Sequence, residues 1–173
     1  MPCPVCKKEH DFTVEEALEQ LEKGPEEVRV ALAGAGHEEL NWAPRGAWSP
    51  RQVVTHLLDT ELIFGTRYRK ILAGDEGELA SFDQERWTAA CSAGRNLAHV
   101  LTTFEYLRQD NVALLRIAVL SDPANLNRAG QHPEFGRLTL RDLVLHLSPA
   151  RHEPRRADSQ DPGAVQKQVT GHG

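Results

Sequence analysis

The sequence predicts an all-α fold, a four-helix bundle. Four segments repeat apolar residues at helical spacing, several of them start or stop at recognisable cap signals, and no segment alternates with period two. Helical segments joined by long connections are typical of a bundle. We expect three parts: a Cys-containing head over residues 1–11, the bundle over residues 12–148, and a polar tail over residues 149–173 whose composition predicts disorder.

Composition limits the class of protein. The chain has 173 residues, of which 40% are hydrophobic and 26% are charged, which is typical of one globular domain. Its net charge of −5 argues against a general nucleic-acid binder or a protein of anionic membrane surfaces, because both need basic surfaces. No run of apolar residues is long enough to span a bilayer, and no apolar leader begins the chain, so we expect a cytoplasmic protein.

The first helical segment covers residues 13–33. Thr13 and Glu16 have the spacing of a capping box, which predicts the helix start. Gly24 and Pro25 interrupt the apolar pattern, and we therefore expect a kink or two consecutive helices there.

The second segment carries the clearest local signals. Ser49 suits an N-cap, Pro50 the first helical position and Gln52 the third, so the helix should begin at Pro50. Gly74 suits the position after the last helical residue, so the helix should run from Pro50 to Ala73.

Two further helices follow a long connection. Residues 75–94 are expected to be a loop that packs on the bundle, and Trp87 within it is expected to be a core or end plug, like Trp42 and Trp48. Residues 95–120 have helical spacing, residues 132–136 give a turn signal, and Thr139 predicts the start of the last helix.

His56 is the residue of the second helix best suited to chemistry. It lies beside the apolar stripe, with Asp59 and Thr60 three and four residues further on. A neutral imidazole near a bundle core is a natural ligand for zinc, nickel or iron, and facing helices can complete such a site. The alternative is a half-buried histidine that is hydrogen-bonded to a neighbour.

A second candidate ligand is His152, six residues after His146. In a continuous helix this spacing puts the two rings about 120° apart, unlike the four-residue spacing with which a helix holds one metal. His152 could still contribute a nitrogen. The alternative interpretation of this stretch is a solvated, charged tail.

The head contains Cys3, Cys6 and His10, which have the local spacing of half a zinc knuckle. A structural zinc site normally needs four ligands, and the chain has no second pair of cysteines at this spacing. Zinc binding by the head and a frayed terminus therefore both remain open.

The residues from Trp48 to Glu61, WSPRQVVTHLLDTE, resemble the second-helix signature of the DinB-like superfamily. Later segments fit that family in the same order, and the resemblance extends over residues 12–147. These segments are residues 64–67, 71–76, 82–83, 104–115 and 132–143.

The resemblance implies a four-helix bundle, often dimeric, with a divalent metal held by three histidines, one from the second helix and two from an H-x-x-x-H in the last. His56 matches the first of these ligands. The other two positions hold Ala150 and Pro154, or His152 and Arg156 after a two-residue shift. At least one ligand is therefore missing, and a shifted reading frame or a decayed C-terminus after about residue 147 would account for the change.

Two functions follow from the resemblance. Some members of the family use low-molecular-weight thiols, so the first is a metal-dependent enzyme of the thiol-S-transferase type. Its metal ligands would be His56 and His152, its partners a thiol or small-molecule substrate and a second copy of the chain. The second is a non-catalytic binding or dimerisation module that has lost the metal site.

Overall fold

Two long helices that run side by side in the same direction form the centre of the fold, and shorter elements pack around them. The computed structural model describes residues 2–7, 9–75 and 77–148. Helices α3 and α5 pack along each other, α1 packs on α5, and α6 packs on α1. The elements are α1 (Val14–Ala31), α2 (His37–Asn41), α3 (Pro50–Ala73), α4 (Gln84–Cys91), α5 (Leu97–Ser121), a 3-10 helix (Pro123–Asn127), β1 (Ala129–His132), β2 (Gly136–Thr139) and α6 (Leu140–Leu147).

The predicted limits of α3 are confirmed. The Ser49 side chain accepts a hydrogen bond from the backbone amide of Gln52, and the Gln52 side chain accepts one from the amide of Ser49. Gly74 ends the helix with φ of 72°, a left-handed conformation that glycine adopts without a Cβ clash. The capping boxes predicted for α1 and α6 form in the same way.

Helix α1 differs from the expectation of a kink or two helices, because it continues through Pro25. Proline lacks the amide that would bond to the carbonyl oxygen of Leu21. The guanidinium of Arg108 on α5 donates to that oxygen instead, at 3.1 Å. The carbonyl oxygen therefore finds its hydrogen-bond donor 87 residues away. No local sequence signal predicts this contact.

The long connection after α3 and the stretch before α6 contain more structure than the sequence predicts. Helix α4 lies within the connection, with the Asp83 side chain accepting from the amide of Arg86 at its start. The predicted turn over residues 132–136 joins two antiparallel strands, in which His132 pairs with Gly136. Each strand has only four residues, which is too short for a period-two pattern to stand out.

A buried polar network joins α3 to α5. The Glu61 carboxylate is almost fully buried and accepts from Arg108 Nε at 2.6 Å and from Asn111 Nδ2 at 2.9 Å. Asn111 also accepts from Arg69 at 2.9 Å. Removing one partner of a buried ion pair typically costs about 3–5 kcal/mol, because the other charge stays buried. The network therefore fixes which face of α3 meets α5.

Two apolar clusters lie on either side of this network. The larger one is built by α1, α3, α5, the hairpin and α6, and the smaller one by α3 and α5 around Val54 and Phe104. The expectation that the tryptophans are core or end plugs is wrong for Trp42, which is 67% exposed. Within the described residues, no helix has both the length and the apolar content that crossing a bilayer requires. The tail predicted for residues 149–173 lies outside the described residues.

Gly65 on α3 lies close to the Asn111 side chain of the network. A Cβ atom at this position would lie 2.6 Å from Asn111 Oδ1 and 2.9 Å from Nδ2. Asn111 cannot move away without breaking its bonds to Glu61, so we predict that Gly65→Ala lowers the free energy of unfolding by about 1–3 kcal/mol. Denaturant unfolding of the variant and the wild type measures this difference in the free energy of unfolding.

The matched control is Gly24→Ala, also within a helix. A Cβ there would meet Arg108 Nη1 at 3.4 Å, which is an ordinary contact. Since alanine favours a helix interior over glycine by about 0.5–1 kcal/mol, this variant should be as stable as the wild type or more so. Equal effects of the two substitutions would contradict the tight packing at Gly65.

Candidate functional site

Three histidines from three different elements line one cavity of about 950 Å³. His56 comes from α3, His132 from the end of β1 and His146 from α6. The head and the segment before α4 complete the walls. This volume is at the upper end of the range for small-molecule sites.

His56 is held between two aromatic rings. Its ring centroid lies 4.8 Å from that of Trp48 and 6.1 Å from that of Phe82, nearly parallel to the latter. The Thr60 hydroxyl donates to the backbone oxygen of His56 at 2.8 Å and lies 3.5 Å from Nε2. The aromatic neighbours fix the plane of the imidazole, which lines the cavity as the sequence interpretation expects.

Asp59, the other polar residue that the sequence places beside His56, does not line the cavity. It is buried, and desolvation raises the pKa of its carboxyl, with the charge of Arg95 acting in the opposite direction. Its position three residues after His56 therefore does not make it a partner in the cavity.

His146 stacks on Phe64, with ring centroids 6.2 Å apart and planes 17° from parallel. Its Nδ1 atom is buried, as is that of His56. Two imidazoles from facing helices thus share the cavity, as in the sites that bundles build between helices. His152, the predicted second ligand, lies outside the described residues.

Arg67 adds a positive charge to the cavity wall that sequence reasoning missed. Its Nε and Nη2 atoms donate to the backbone oxygen of Ala80 at 2.8 and 2.5 Å, and the guanidinium lies 4.8 Å from the centre of the Phe64 ring. Only 5% of the residue is exposed, and burial lowers the pKa of the guanidinium to about 10. It stays charged at neutral pH and forms no ion pair within the described residues.

His132 lies against this guanidinium, with 3.0 Å between its Nε2 and Arg67 Nη2. Its Nδ1 accepts from the amides of Glu134 and Phe135 at 3.1 and 3.3 Å. Burial and the charge of Arg67 lower the pKa of the imidazole, so the ring is neutral near pH 7. The turn signal at residues 132–136 was visible in the sequence, but the contact with Arg67 spans 65 residues and was not.

The cavity fits a metal only in part. Within the described ranges, the one group of three His, Cys, Asp or Glu ligand atoms close enough to share an ion is Cys3, Cys6 and His10 in the head. The described part of the cavity thus offers imidazoles but not a complete set of three ligands around His56. A donor from beyond residue 148 is needed for the three-histidine site that the resemblance implies.

Two histidines from different helices, His56 and His146, line one cavity. Helical bundles build metal and ligand sites in this way, from side chains on facing helices. The chain belongs to the DinB superfamily, whose family model it matches over residues 20–153. The resemblance carried by α3 and the later segments is therefore confirmed.

Relatives of known name cover most of the chain. "Putative metal-dependent hydrolase OB0413" of Oceanobacillus iheyensis is 26% identical over 136 residues, which are 78% of this chain and 77% of that protein. A Bacillus cereus protein also named "Putative metal-dependent hydrolase" is 26% identical over 137 residues, 78% of each chain. These names associate metal dependence with the relatives.

A solved structure has the same fold. YfiT from Bacillus subtilis, described as a probable metal-dependent hydrolase with an unusual four-helix bundle topology, matches with a TM-score of 0.69 and 23% identity. The match covers 80% of this chain and 84% of YfiT. The four-helix bundle predicted from the sequence is thereby confirmed.

The lowered pKa of His132 makes stability depend on pH. In the unfolded chain the ring takes up a proton near its ordinary pKa of 6.5, whereas in the folded protein it does so only at lower pH. Its contribution to stability is therefore complete above about pH 6.5 and is lost as the pH falls through the folded pKa.

We predict that His132→Asn, which keeps an acceptor for the two amides, loses this part of the dependence. Between pH 6.5 and the folded pKa, its unfolding free energy should fall less steeply than that of the wild type, by up to about 1.4 kcal/mol per pH unit. Urea unfolding at a series of pH values measures this slope. His99→Asn, at an exposed histidine, should keep the wild-type slope, and an unchanged slope in both variants would contradict the prediction.

Proposed function

We propose that the cavity is the active site of a divalent-metal-dependent enzyme, with His56 and His152 as metal ligands and a small acidic molecule as substrate. The observation that carries the proposal is the placement of His56, held between Trp48 and Phe82 on the wall of a cavity of about 950 Å³. The metal dependence in the names of the relatives supports it.

The bound metal would polarise a substrate oxygen, or lower the pKa of a bound water or thiol. Zinc, nickel and iron all accept imidazole ligands. Thr60 lies within 3.5 Å of Nε2 of His56 and helps to orient the ring, as outer-shell groups do in metal sites.

Arg67 supplies the recognition of the substrate. A buried guanidinium without a carboxylate partner among the described residues attracts an anionic group. Its Nε and Nη2 atoms are engaged by Ala80 and His132, so Nη1 is the donor left for such a group. The bonds to Ala80 and the contact with His132 hold it in place. Because His132 is neutral, it does not add a second positive charge or repel a cationic part of the substrate.

The acceptor of the transferred group is a low-molecular-weight thiol in our proposal, which makes the protein a thiol-S-transferase. The DinB-like resemblance favours this acceptor, and such thiols commonly carry carboxylates that suit Arg67. The names of the relatives favour water as the acceptor, that is, hydrolysis. Product analysis with and without a thiol distinguishes the two reactions.

A non-catalytic binding module is the second candidate. It is favoured by the absence, among the described residues, of a three-ligand group around His56. A bundle that kept the cavity but lost the metal would still bind an acidic molecule through Arg67. Metal content therefore decides between the candidates.

We predict that His56→Ala removes the metal from the cavity. The measurement is the metal content of protein purified without a His tag, in a Cys3→Ser background so that the head does not contribute. His152→Ala should weaken metal affinity as well, whereas His99→Ala, at an exposed histidine, should change nothing. The same metal content in all four proteins would favour the non-catalytic module.

Replacing Arg67 tests the recognition of the acidic substrate. Arg67→Gln should weaken the binding of glutathione about 10–100-fold, since a hydrogen bond to a charged group is typically worth about 1.5–3 kcal/mol. Binding of cysteamine, a thiol without a carboxylate, should be unaffected. Isothermal titration calorimetry measures both, with Arg45→Gln at an exposed arginine as the control. Equal losses for the two thiols would contradict the role of Arg67.

A further inference from the structure

The head brings together three side chains of types that bind metals, and none of them is one of the histidines that line the cavity. One ligand atom each from Cys3, Cys6 and His10 lies within 4.8 Å of the other two. Cys3 is 2% exposed, and the other two are half-buried. Two sulfurs and an imidazole in one cluster are the donor set that zinc prefers in structural sites.

The backbone of the head is folded around the first sulfur. The amides of Val5 and Cys6 donate to the Cys3 side chain, and the amide of Lys7 donates to the carbonyl oxygen of Cys3 at 2.8 Å. Lys7 has φ of 60°, the left-handed conformation that closes the turn. Amides aimed at a sulfur stabilise its thiolate, which is the form that binds metal.

Burial raises the pKa of the Cys3 thiol, and the two amide bonds oppose this effect.

The head is attached to the bundle, which argues against the frayed terminus that the sequence left open. Val5 and Phe12 pack against the larger apolar cluster, and the His10 ring contacts Phe12 edge-on with centroids 5.2 Å apart. Val5 and Cys6 also line the cavity that contains His56. The position of the head therefore shapes one wall of that cavity.

We propose that Cys3, Cys6 and His10 bind a zinc ion that fixes the head on the bundle and so holds this wall of the cavity in place. Tetrahedral zinc with bonds of about 2.3 Å to sulfur places two sulfurs about 3.8 Å apart, so the ligand atoms need to move by only about 1 Å. Binding releases one proton from each thiol. Water takes the fourth position.

Zinc content of the full-length protein, purified without a His tag, tests the proposal. Cys3→Ser, Cys6→Ser and His10→Ala should each lose the head zinc, whereas Cys91→Ser, at an exposed cysteine, should keep it. His56→Ala should also keep it, so failure of the cavity metal and failure of the head site give different results. Zinc content unchanged by Cys3→Ser would overturn the proposal.

Cobalt substitution identifies the ligands directly. Co²⁺ in the wild type should give an intense sulfur-to-cobalt charge-transfer band, which weakens in Cys3→Ser and in Cys6→Ser but not in Cys91→Ser. A cobalt spectrum without this band would overturn the proposal. So would a thiol titration that finds Cys3 and Cys6 joined in a disulfide after purification under reducing conditions.

A measurement on the wild type avoids the risk that a variant fails to fold. Removal of zinc by a chelator should lower the melting temperature, and added zinc should restore it. His56→Ala should still show a shift, because its head site is intact and a metal in the cavity cannot account for the effect. A melting temperature that does not respond to the chelator would contradict the stabilising role of the ion.

Discussion

The buried contact between Glu61 and Arg108 is the constraint on which the arrangement of the helices depends. Arg108 pairs with the carboxylate on α3 and also donates to the carbonyl oxygen that Pro25 leaves without a partner on α1. One side chain on α5 thereby holds two other helices. A buried charge tolerates little rotation, because turning away would leave it unpaired. The face of α3 that carries Glu61 therefore meets α5, and His56, five residues earlier, is left to face the cavity.

The cavity wall combines a charged side chain, a neutral imidazole and apolar rings. Arg67 brings a fixed positive charge, His132 stays neutral beside it, and the aromatic rings around His56 and His146 supply apolar walls. Val5 and Cys6 of the head form part of the cavity wall, so the zinc ion proposed for the head lies next to the active site proposed for the cavity.

Local signals in the sequence were sufficient for much of the fold. The Ser49 cap and Gly74 gave both ends of α3, because capping depends on residues within one turn. The path of α1 through Pro25 could not be predicted, because the compensating donor comes from Arg108, far along the chain. Helix α4 and the hairpin were missed because elements of eight and four residues carry too little periodicity.

In the candidate site too, local sequence signals pointed to some residues, whereas residues that depend on contacts between distant parts of the chain were missed. His56 was singled out because it lies beside the apolar stripe of a helix and matches a family signature, and the cluster of Cys3, Cys6 and His10 was suggested by its local spacing. Arg67 and His132 were not found, because their contact joins residues that are distant in sequence. Asp59 was suggested by helical spacing, but burial on another face keeps it out of the cavity.

The central claim is that His56 binds a metal in the cavity. Anomalous diffraction from a crystal of the full-length protein grown with zinc, recorded on both sides of the zinc absorption edge, tests it most directly. The account predicts an anomalous peak in the cavity about 2.0–2.2 Å from a ring nitrogen of His56. Clear density for the His56 ring with no anomalous peak in the cavity would contradict it.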